Sequence, residues 1–302
     1  MTAWLLKPAP AEPPGVVLRR LLEEQPVVVA PGVFSPLAGV VVRRVGFSAG
    51  YVSGAAFSAS LALPDLGLFT LTELADFVRR VYRACGLPLV VDADTGFGEA
   101  LNVVSAVREL EWAGAAAVQL EDQPLPKKCG HLSGKSVVPA EEMARKVAAA
   151  ASARRHTLIV ARTDARAVEG LEGAVRRALL YQEAGADVIF PEALESEEEF
   201  AEFARRVGGW LLANMTEFGR SPSLSAGRLA ELGYKLVIFP VTALRAAMKA
   251  AEEVLEVLRR EGTQVGVLDR LQTRAELYER IGYHEYEAWD AELAGRFREG
   301  GG

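Results

Sequence analysis

The chain has few cysteines, no long apolar run and no excess of positive charge. Its two cysteines, Cys85 and Cys129, are far apart and lack metal-type spacing, so we expect no disulfide scaffold and a reducing, cytoplasmic setting. Residues 1–14 contain no secretory apolar segment, and no later run reaches membrane-spanning length, which predicts a soluble protein with no membrane partner. A net charge of −6 without a basic stripe argues against a nucleic-acid partner.

The composition is that of a globular protein with a large core. Half of the 302 residues are hydrophobic and a quarter are charged, which excludes general disorder. The length exceeds that of a usual domain, but α/β barrels commonly reach it as one domain. One large domain and two smaller ones are therefore both open.

Short apolar runs alternate with helical segments along the chain. Strands are predicted at 27–30, 51–52, 87–91, 116–120, 157–161, 188–190, 210–213 and 236–239. Eight strands with intervening helices, such as those predicted over 35–45, 102–113 and 140–153, favour a (β/α)8 TIM-type barrel. An open doubly wound sheet is the alternative, but Gly96-Phe97-Gly98-Glu99 lacks the third glycine of a dinucleotide-binding motif.

Polar residues follow most of these strands, where a barrel carries its reactive groups. They are Ser53, Gly54, Asp92, Asp94, Glu121, Arg162, Asp164, Glu192, Asn214, Thr216, Thr242 and Arg245. Any one of them could cap a helix or pair with a neighbour. Their repetition at corresponding positions instead favours a functional site at this end of the barrel.

The acidic residues in this set predict a metal site. Asp92 and Asp94 are one residue apart, so in a continuing strand they project to the same side, next to Glu121 on the adjoining strand. Carboxylates held together repel one another unless a hard cation binds them, and Mg²⁺ fits best, with Mn²⁺ as a substitute. The alternative is a salt-bridge network with Arg162 and Lys128.

The segment 127–135, Lys-Lys-Cys-Gly-His-Leu-Ser-Gly-Lys, places a thiol among cations on a loop after the fourth strand. Positive charge from Lys127, Lys128 and His131 is expected to lower the pKa of Cys129. The plain alternative is a solvated basic loop with an incidental cysteine. Arg162 and Arg245 could bind substrate carboxylates, and Asn214 and Thr216 could donate neutral hydrogen bonds, which together indicate a small, multiply negative substrate.

From about Pro31 to Tyr286 the chain resembles the isocitrate lyase/phosphoenolpyruvate mutase superfamily, most closely its short methylisocitrate lyase branch. The matching segments are Tyr-Val-Ser-Gly at 51–54, Leu-Pro-Asp-Leu-Gly at 63–67, Val-Asp-Ala-Asp-Thr-Gly-Phe-Gly at 91–98, Glu-Asp-Gln at 121–123, Lys-Lys-Cys-Gly-His at 127–131, Ala-Arg-Thr-Asp-Ala at 161–165, Phe-Pro-Glu-Ala at 190–193, Asn-Met-Thr-Glu-Phe-Gly at 214–219 and Gln-Thr-Arg-Ala-Glu-Leu-Tyr at 272–278.

The resemblance implies roles for individual residues. It implies metal binding around Asp92, with Asp65, Asp94 and Glu121 acting directly or through water, and catalysis by Cys129 as the acid with His131 and Arg162. The implied substrate-binding residues are Ser53, Gly54, Ala55, Gly130, Arg162, Glu192, Asn214, Thr216 and Arg245. The departure from the family pattern is Gly54-Ala55-Ala56-Phe57, which replaces a more glycine-rich loop.

The activity implied by the resemblance is Mg²⁺-dependent cleavage of 2-methylisocitrate to pyruvate and succinate, the step of propionate catabolism in the methylcitrate cycle. The alternatives are an isocitrate lyase, another lyase of 2-hydroxy or 2-oxo acids, a phosphonopyruvate-type mutase or a barrel without catalysis. Phe190 and Ile238 are the candidates for accepting the extra methyl group.

The proline-rich start of the chain predicts a semi-extended arm, and the resemblance implies an assembly of subunits. We expect an N-terminal arm over 1–14, a catalytic barrel over 15–270 and a C-terminal helical segment over 271–302. That last segment is expected to be swapped between the subunits of a homotetramer; an ordinary closing helix is the alternative.

Overall fold

The fold is known from a computed structural model, which describes residues 3–6, 10–132 and 134–298. The strands in this part of the chain are β1 (Val28–Pro31), β2 (Gly50–Val52), β3 (Leu89–Asp92), β4 (Ala115–Glu121), β5 (Leu158–Thr163), β6 (Val188–Pro191), β7 (Trp210–Asn214) and β8 (Leu236–Phe239). Each predicted strand is confirmed, with its ends shifted by at most two residues.

The strands form one parallel sheet in the order β1-β8-β7-β6-β5-β4-β3-β2. The two ends of this sheet meet where the Val33 N–H donates to the Tyr51 carbonyl at 2.8 Å, beside a parallel bridge between Gly32 and Tyr51. The predicted (β/α)8 barrel is therefore confirmed, and the open doubly wound sheet is excluded. Because all strands are parallel, their carboxyl ends lie at one mouth of the barrel.

Helices surround the barrel. They are α1 (Pro14–Glu24), α2 (Pro36–Val45), α3 (Gly54–Ser60), α4 (Leu71–Cys85), α5 (Ala100–Ala113), α6 (Ala140–Ala153), α7 (Arg166–Glu183), α8 (Glu197–Val207), α9 (Ala226–Glu231), α10 (Thr242–Glu261), α11 (Arg274–Ile281) and α12 (Tyr283–Arg298). Among the described helices, none combines the length and apolar character that a bilayer-spanning helix requires.

The N-terminal region is more structured than a semi-extended arm. Trp4–Leu6 forms a 3-10 helix, and α1 starts at Pro14, where proline is tolerated because the first turn has no use for its missing N–H. Residues 1–2 and 7–9 of the predicted arm lie outside the described part. Leu18 and Leu22 of α1 are buried in one cluster with interior barrel residues such as Val160.

The helix α1 therefore covers the amino-terminal end of the barrel. Its Gly15 lies against the carbonyl of His156, just before β5, and its Arg19 pairs with Asp187, just before β6. The opposite mouth is left for the polar residues.

The C-terminal segment, which was expected to be helical, contains two helices. Gly282, with a φ of 71°, ends α11, because this left-handed conformation suits glycine at a helix end. Thr273 caps α11 and exchanges bonds with Glu276 in a capping box. Residues 299–302 of the predicted segment lie outside the described part.

Candidate active site

Three buried carboxylates meet at the mouth of the barrel. Asp92 ends β3, Asp94 follows it, and Glu121 ends β4; one oxygen atom from each lies within 4.8 Å of the other two. Asp94 has a φ of 48°, so the strand does not continue through it as predicted. The left-handed turn, which aspartate tolerates, still brings its carboxylate to the cluster.

The triad has few hydrogen-bond donors around it, which leaves carboxylate oxygens available to bind a cation. Neither oxygen of Glu121 accepts a hydrogen bond from a described residue, nor does Asp94 Oδ1. Burial raises the pKa of Asp94 to about 7 and raises that of Glu121 well above its usual value, although Lys127 and Arg162 oppose the shifts. Buried carboxylate oxygens without donors are costly unless a metal binds them. The triad can therefore hold a divalent cation through oxygen ligands.

Asp92 is held more completely than the other two. It accepts hydrogen bonds from the Gly54 and Asp94 N–H groups at 3.1 and 3.2 Å and from Gln119 Nε2 at 3.0 Å. The Tyr51 hydroxyl in turn donates to Gln119 Oε1 at 2.9 Å, inside the barrel. This arrangement orients Asp92 and leaves its remaining lone pairs for a ligand.

Gly54 belongs to this arrangement because of its size. A Cβ there would lie 2.9 Å from Asp94 Oδ1 and 3.1 Å from Asp92 Oδ2. Gly54 and Ala55 begin α3 rather than the expected loop, and Ser53 caps that helix by accepting from the Ala56 N–H at 3.3 Å. The Ser53 hydroxyl hydrogen stays available for a substrate.

Lys127 connects the triad to Asp65. Its Nζ bonds Asp65 and lies 2.9 Å from Asp94 Oδ1, although the latter contact lacks hydrogen-bond geometry. Burial lowers the pKa of Lys127, but Glu121 and Asp94 outweigh it and raise the pKa. Asp65 is outside the triad, so its direct or water-mediated metal role stays a prediction.

Arg162, at the end of β5, is the central cation of the site. It makes two bonds to Asp164, at 2.9 and 3.1 Å, and its Nη1 lies 3.1 Å from Glu121 Oε2. Its guanidinium lies 5.4 Å from the ring centroid of Phe190. The predicted network of Arg162 with the acidic cluster therefore exists, but Lys127 takes the place given to Lys128, which instead donates to the Gly134 carbonyl at 3.0 Å.

Glu192, which follows β6, is surrounded by donors. It lies 3.1 Å from His131 Nε2, 3.4 Å from Arg162 Nη2 and 3.4 Å from Asn214 Nδ2. Burial raises its pKa, but Arg162, His131 and Lys135 outweigh burial and hold the pKa at about 2. Glu192 is thus a permanent anion that organises the second side of the site.

We call residues 127–132 the thiol loop; Ser133 lies outside the described part of the chain. Its Gly130 is packed so closely that a Cβ would lie 2.4 Å from Glu192 Cγ and 2.5 Å from Arg162 Nη2. Lys135, beyond the loop, bonds the Gly130 carbonyl and donates to Asp164 Oδ1 at 2.7 Å. The thiol loop therefore lies directly against the site.

The expectation of a lowered pKa for Cys129 is wrong in sign. Burial of the half-buried thiol raises its pKa, and the His131 N–H only partly opposes this. Lys127, Lys128 and His131 do not supply the expected charge, because they are engaged by Asp94, Gly134 and Glu192. Cys129 is therefore a protonated thiol at neutral pH, which suits an acid rather than a nucleophile.

Two predicted substrate residues lie at the rim. Thr216 donates its N–H to Asn214 Oδ1 at 3.1 Å. Arg245 donates from Nη1 to Glu217 Oε2 and to the Glu217 carbonyl, each at 2.9 Å, and its side chain is 48% exposed. The structure does not bring Arg245 into contact with Arg162, so its role in binding stays a prediction.

Several participants were missed by reading the sequence. Gln119 is the one polar residue in the apolar run 115–120 of β4, which is the signal that could have singled it out. Tyr51 and Arg220 gave no comparable signal, because their partners are distant in sequence.

An eight-stranded parallel barrel with carboxylates, an arginine and a thiol loop at one mouth defines an enzyme of the α/β-barrel class. Comparison with known proteins narrows this class. Residues 18–259 match the family model described as phosphoenolpyruvate phosphomutase. The chain belongs to this family.

Named relatives span almost the whole chain. A 2-methylisocitrate lyase of Aeropyrum pernix is 59% identical over 290 residues, covering 96% of this chain and 94% of the relative. One of Halalkalibacterium halodurans is 51% identical, covering 91% and 92%. A crystal structure of 2,3-dimethylmalate lyase, a member of the PEP mutase/isocitrate lyase superfamily, superposes with a TM-score of 0.88 at 35% identity, covering 94% and 96%.

Proposed function

We propose that the protein cleaves the carbon–carbon bond of 2-methylisocitrate to give pyruvate and succinate. The proposal rests on two neighbouring features. In the carboxylate triad, three oxygens of Glu121 and Asp94 accept no hydrogen bond from a described residue, and on the adjacent thiol loop Cys129 is a protonated thiol. The 2-methylisocitrate lyases at 59% and 51% identity support the choice of substrate.

The cation of the triad is proposed to be Mg²⁺, with Mn²⁺ able to replace it. Asp92, Asp94 and Glu121 would hold it, with Asp65 reaching it through water. When bound, such a cation acts as a Lewis acid toward the hydroxyl and carboxylate of the pyruvate-forming half. Three cations here, Arg162, Lys127 and Lys135, contact five carboxylates, those of Asp65, Asp94, Glu121, Asp164 and Glu192. Ionisation of all five gives an excess of negative charge that a divalent ion offsets.

The chain's own groups would divide the remaining work. Arg162 and the Asn214 amide would bind substrate carboxylates, and Ser53, Gly54, Ala55, Gly130, Glu192, Thr216 and Arg245 would line or close the binding site. The substrate hydroxyl loses its proton to a base and becomes the keto oxygen of pyruvate. The electron pair of the broken bond passes to the succinate half, whose carbon takes the proton of Cys129 Sγ.

His131 would position the thiol rather than ionise it. Its backbone N–H bonds Cys129, and its ring is fixed on Glu192. Gly130 packs closely against Glu192 and Arg162, and this close packing keeps water from the reacting carbon. Phe190 and Ile238 both belong to the buried interior cluster, and Phe190, directly under Arg162, is the better placed of the two to meet the extra methyl group.

A product assay tests this function. Purified protein with Mg²⁺ is given 2-methylisocitrate, isocitrate and 2,3-dimethylmalate in parallel, and pyruvate, glyoxylate and propionate are measured. We expect pyruvate and succinate from 2-methylisocitrate at the highest kcat/KM. One methyl group discriminates by only about 1–3 kcal/mol, so residual cleavage of isocitrate is compatible. Preferred cleavage of either other acid would refute the proposal.

We also propose that the chain works as a homotetramer in the cytoplasm. In a single chain, α10 and α11 have no buried residue, and the C-terminal region exposes Leu255 (60%), Val265 (66%), Trp289 (49%) and Phe297 (83%). A second copy of the chain covering these side chains would account for them. The division into 1–14, 15–270 and 271–302 belongs to this proposal, and a monomer by light scattering would contradict it.

The proposed compartment is the cytoplasm, which is reducing. The unpaired thiols of Cys85 and Cys129 support this part of the proposal.

A further inference from the structure

The thiol loop is held by a second loop, the one that follows β7. The Arg220 N–H donates to His131 Nδ1 at 3.0 Å, and Arg220 Nε donates to the His131 carbonyl at 3.2 Å. One residue therefore binds both the ring and the backbone of His131. Cys129 is therefore two residues from His131, whose ring and backbone are both held by hydrogen bonds.

The backbone contact determines the tautomer of His131. Since an N–H donates to Nδ1, that nitrogen is an acceptor, and in the neutral ring the proton is on Nε2. Nε2 lies 3.1 Å from Glu192 Oε1, which is an acceptor. Arg220 thus orients the imidazole so that its single proton faces Glu192.

The position of the His131 ring also depends on the small size of residue 219. A Cβ on Gly219 would lie 2.7 Å from His131 Nδ1 and 2.9 Å from Cε1. Such distances are not tolerated by a packed ring, so any larger residue at 219 would displace His131 from the second loop. Steric fit and hydrogen bonding therefore act on the same side chain.

The guanidinium of Arg220 is itself anchored. Its Nη1 lies 3.4 Å from Glu195 Oε1, and Glu195 also pairs with Arg166 Nη1 at 3.0 Å. Arg166 makes two further bonds to Glu199 of α8, at 3.0 and 2.6 Å. The contact on His131 is thereby tied to the body of the barrel through α7 and α8.

We propose that Arg220 is a positioning residue that holds the thiol loop against the barrel mouth and so keeps Cys129 shielded from solvent. It acts through His131, without touching the reacting atoms. Its importance for turnover rests on the proposed function, but its effect on the shielding of Cys129 does not.

Thiol alkylation tests this directly, because the chain has only two cysteines. Cys129 is half-buried and Cys85 is 0% exposed, so Cys85 reports unfolding. Arg220→Ala removes the Nε bond to the His131 carbonyl and the Nη1 contact with Glu195 but keeps the backbone N–H bond to His131 Nδ1. It is expected to raise the iodoacetamide labelling rate of Cys129 about threefold to tenfold at fixed pH, with Cys85 unlabelled. Arg220→Lys keeps one donor and should fall between the variant and the wild type.

Two further variants complete the test. Gly219→Ala displaces the ring by contact and should also expose Cys129. The matched control Arg206→Ala breaks an exposed arginine pair with Glu172, remote from the thiol loop, and should label at the wild-type rate. If Cys85 is also labelled in Arg220→Ala, that variant has unfolded. The test then rests on Arg220→Lys and Gly219→Ala, in which Cys129 should be labelled faster than in the wild type while Cys85 stays unlabelled.

Wild-type labelling of Cys129 in the folded Arg220 and Gly219 variants would overturn the inference. Labelling of Cys129 requires no turnover. If the wild-type protein is inactive on 2-methylisocitrate, the proposed function is refuted, but the labelling rates still test the role of Arg220.

Discussion

Glu121 and Glu192 contact different nitrogens of Arg162, Nη1 and Nη2, and their comparison shows what the site can bind. Both are buried, at 1% and 2% exposure, and both contact the same guanidinium. The pKa of Glu121 is raised well above its usual value, whereas the pKa of Glu192 is lowered to about 2. Burial alone cannot separate them, because it raises the pKa of each.

Two things separate them: the charges of Asp164 and Asp92 raise the pKa of Glu121, and Glu192 has hydrogen-bond donors that Glu121 lacks. Glu192 has His131, Asn214 and the Ala193 N–H, which donates to Oε1 at 2.9 Å, while neither oxygen of Glu121 accepts a hydrogen bond from a described residue. The chain therefore completes the environment of Glu192 by itself. Both oxygens of Glu121 and Oδ1 of Asp94 lack such donors, and a bound cation would complete their environment.

The largest effect on turnover is expected from a substitution that destroys the proposed cation site. Asp92→Ala deletes a triad carboxylate that three donors orient, and the loss of several kcal/mol of electrostatic stabilisation should lower kcat/KM at least about a thousandfold. Turnover with and without added Mg²⁺ measures this. An active variant whose rate still responds to Mg²⁺ would place the cation elsewhere.

The acid on the thiol loop should have the next largest effect. Cys129→Ser keeps the size of the side chain but replaces the thiol by a much weaker acid, so kcat should fall about a hundredfold or more. Initial rates at saturating Mg²⁺ measure it. Cys85→Ser, a change in a buried thiol outside the site, is the matched control and should keep the wild-type rate. Equal rates in both variants would remove Cys129 from the reaction.

Stability without metal should distinguish the two glutamates. Glu192→Gln removes one of three buried anions that contact Arg162 and should lower the free energy of unfolding by about 1–3 kcal/mol. Glu121→Gln should cost less or be stabilising, because burial already disfavours the charged form of Glu121 when no cation is bound. Denaturant unfolding in chelator measures both. Equal destabilisation would contradict the comparison.

The contribution of Glu192 should also depend on pH in a defined direction. Its folded-state pKa is lowered from 4.5 to about 2, so its stabilisation is present above pH 4.5 and is lost as pH falls toward 2. Wild type and Glu192→Gln should therefore approach each other in stability through that window.

The smallest effect concerns the pH profile of turnover. Because the pKa of Cys129 is raised from its usual 9.0, the acid stays protonated through neutral pH and activity should change by less than about twofold between pH 7 and 8.5. A decline should begin only above pH 9. A loss of activity centred below pH 8 that disappears in a Cys129 variant would show a lowered pKa instead.

Much of the fold followed from the sequence, because short apolar runs and the polar residues after them mark the strands of a barrel and their carboxyl ends. The triad at Asp92, Asp94 and Glu121 followed for the same reason. The left-handed turn at Asp94 did not, since it depends on the loop that follows.

The chemistry of the thiol loop could not be predicted from its composition. Three nearby cations suggested a lowered pKa for Cys129, but each is engaged by a partner that only the folded chain brings close, such as Asp65 for Lys127. Burial, which is not visible in a nine-residue segment, decides the sign. The position of Gln119 between Tyr51 and Asp92 likewise requires the barrel interior.

The central claim is that the chain completes Glu192 and leaves Glu121 to a cation. The most direct test is thermal unfolding of wild type, Glu121→Gln and Glu192→Gln, each with and without Mg²⁺. At one hundred times its Kd, Mg²⁺ should stabilise the wild type and Glu192→Gln by about 2.7 kcal/mol and stabilise Glu121→Gln far less. Equal stabilisation of Glu121→Gln and the wild type by Mg²⁺ would contradict the account.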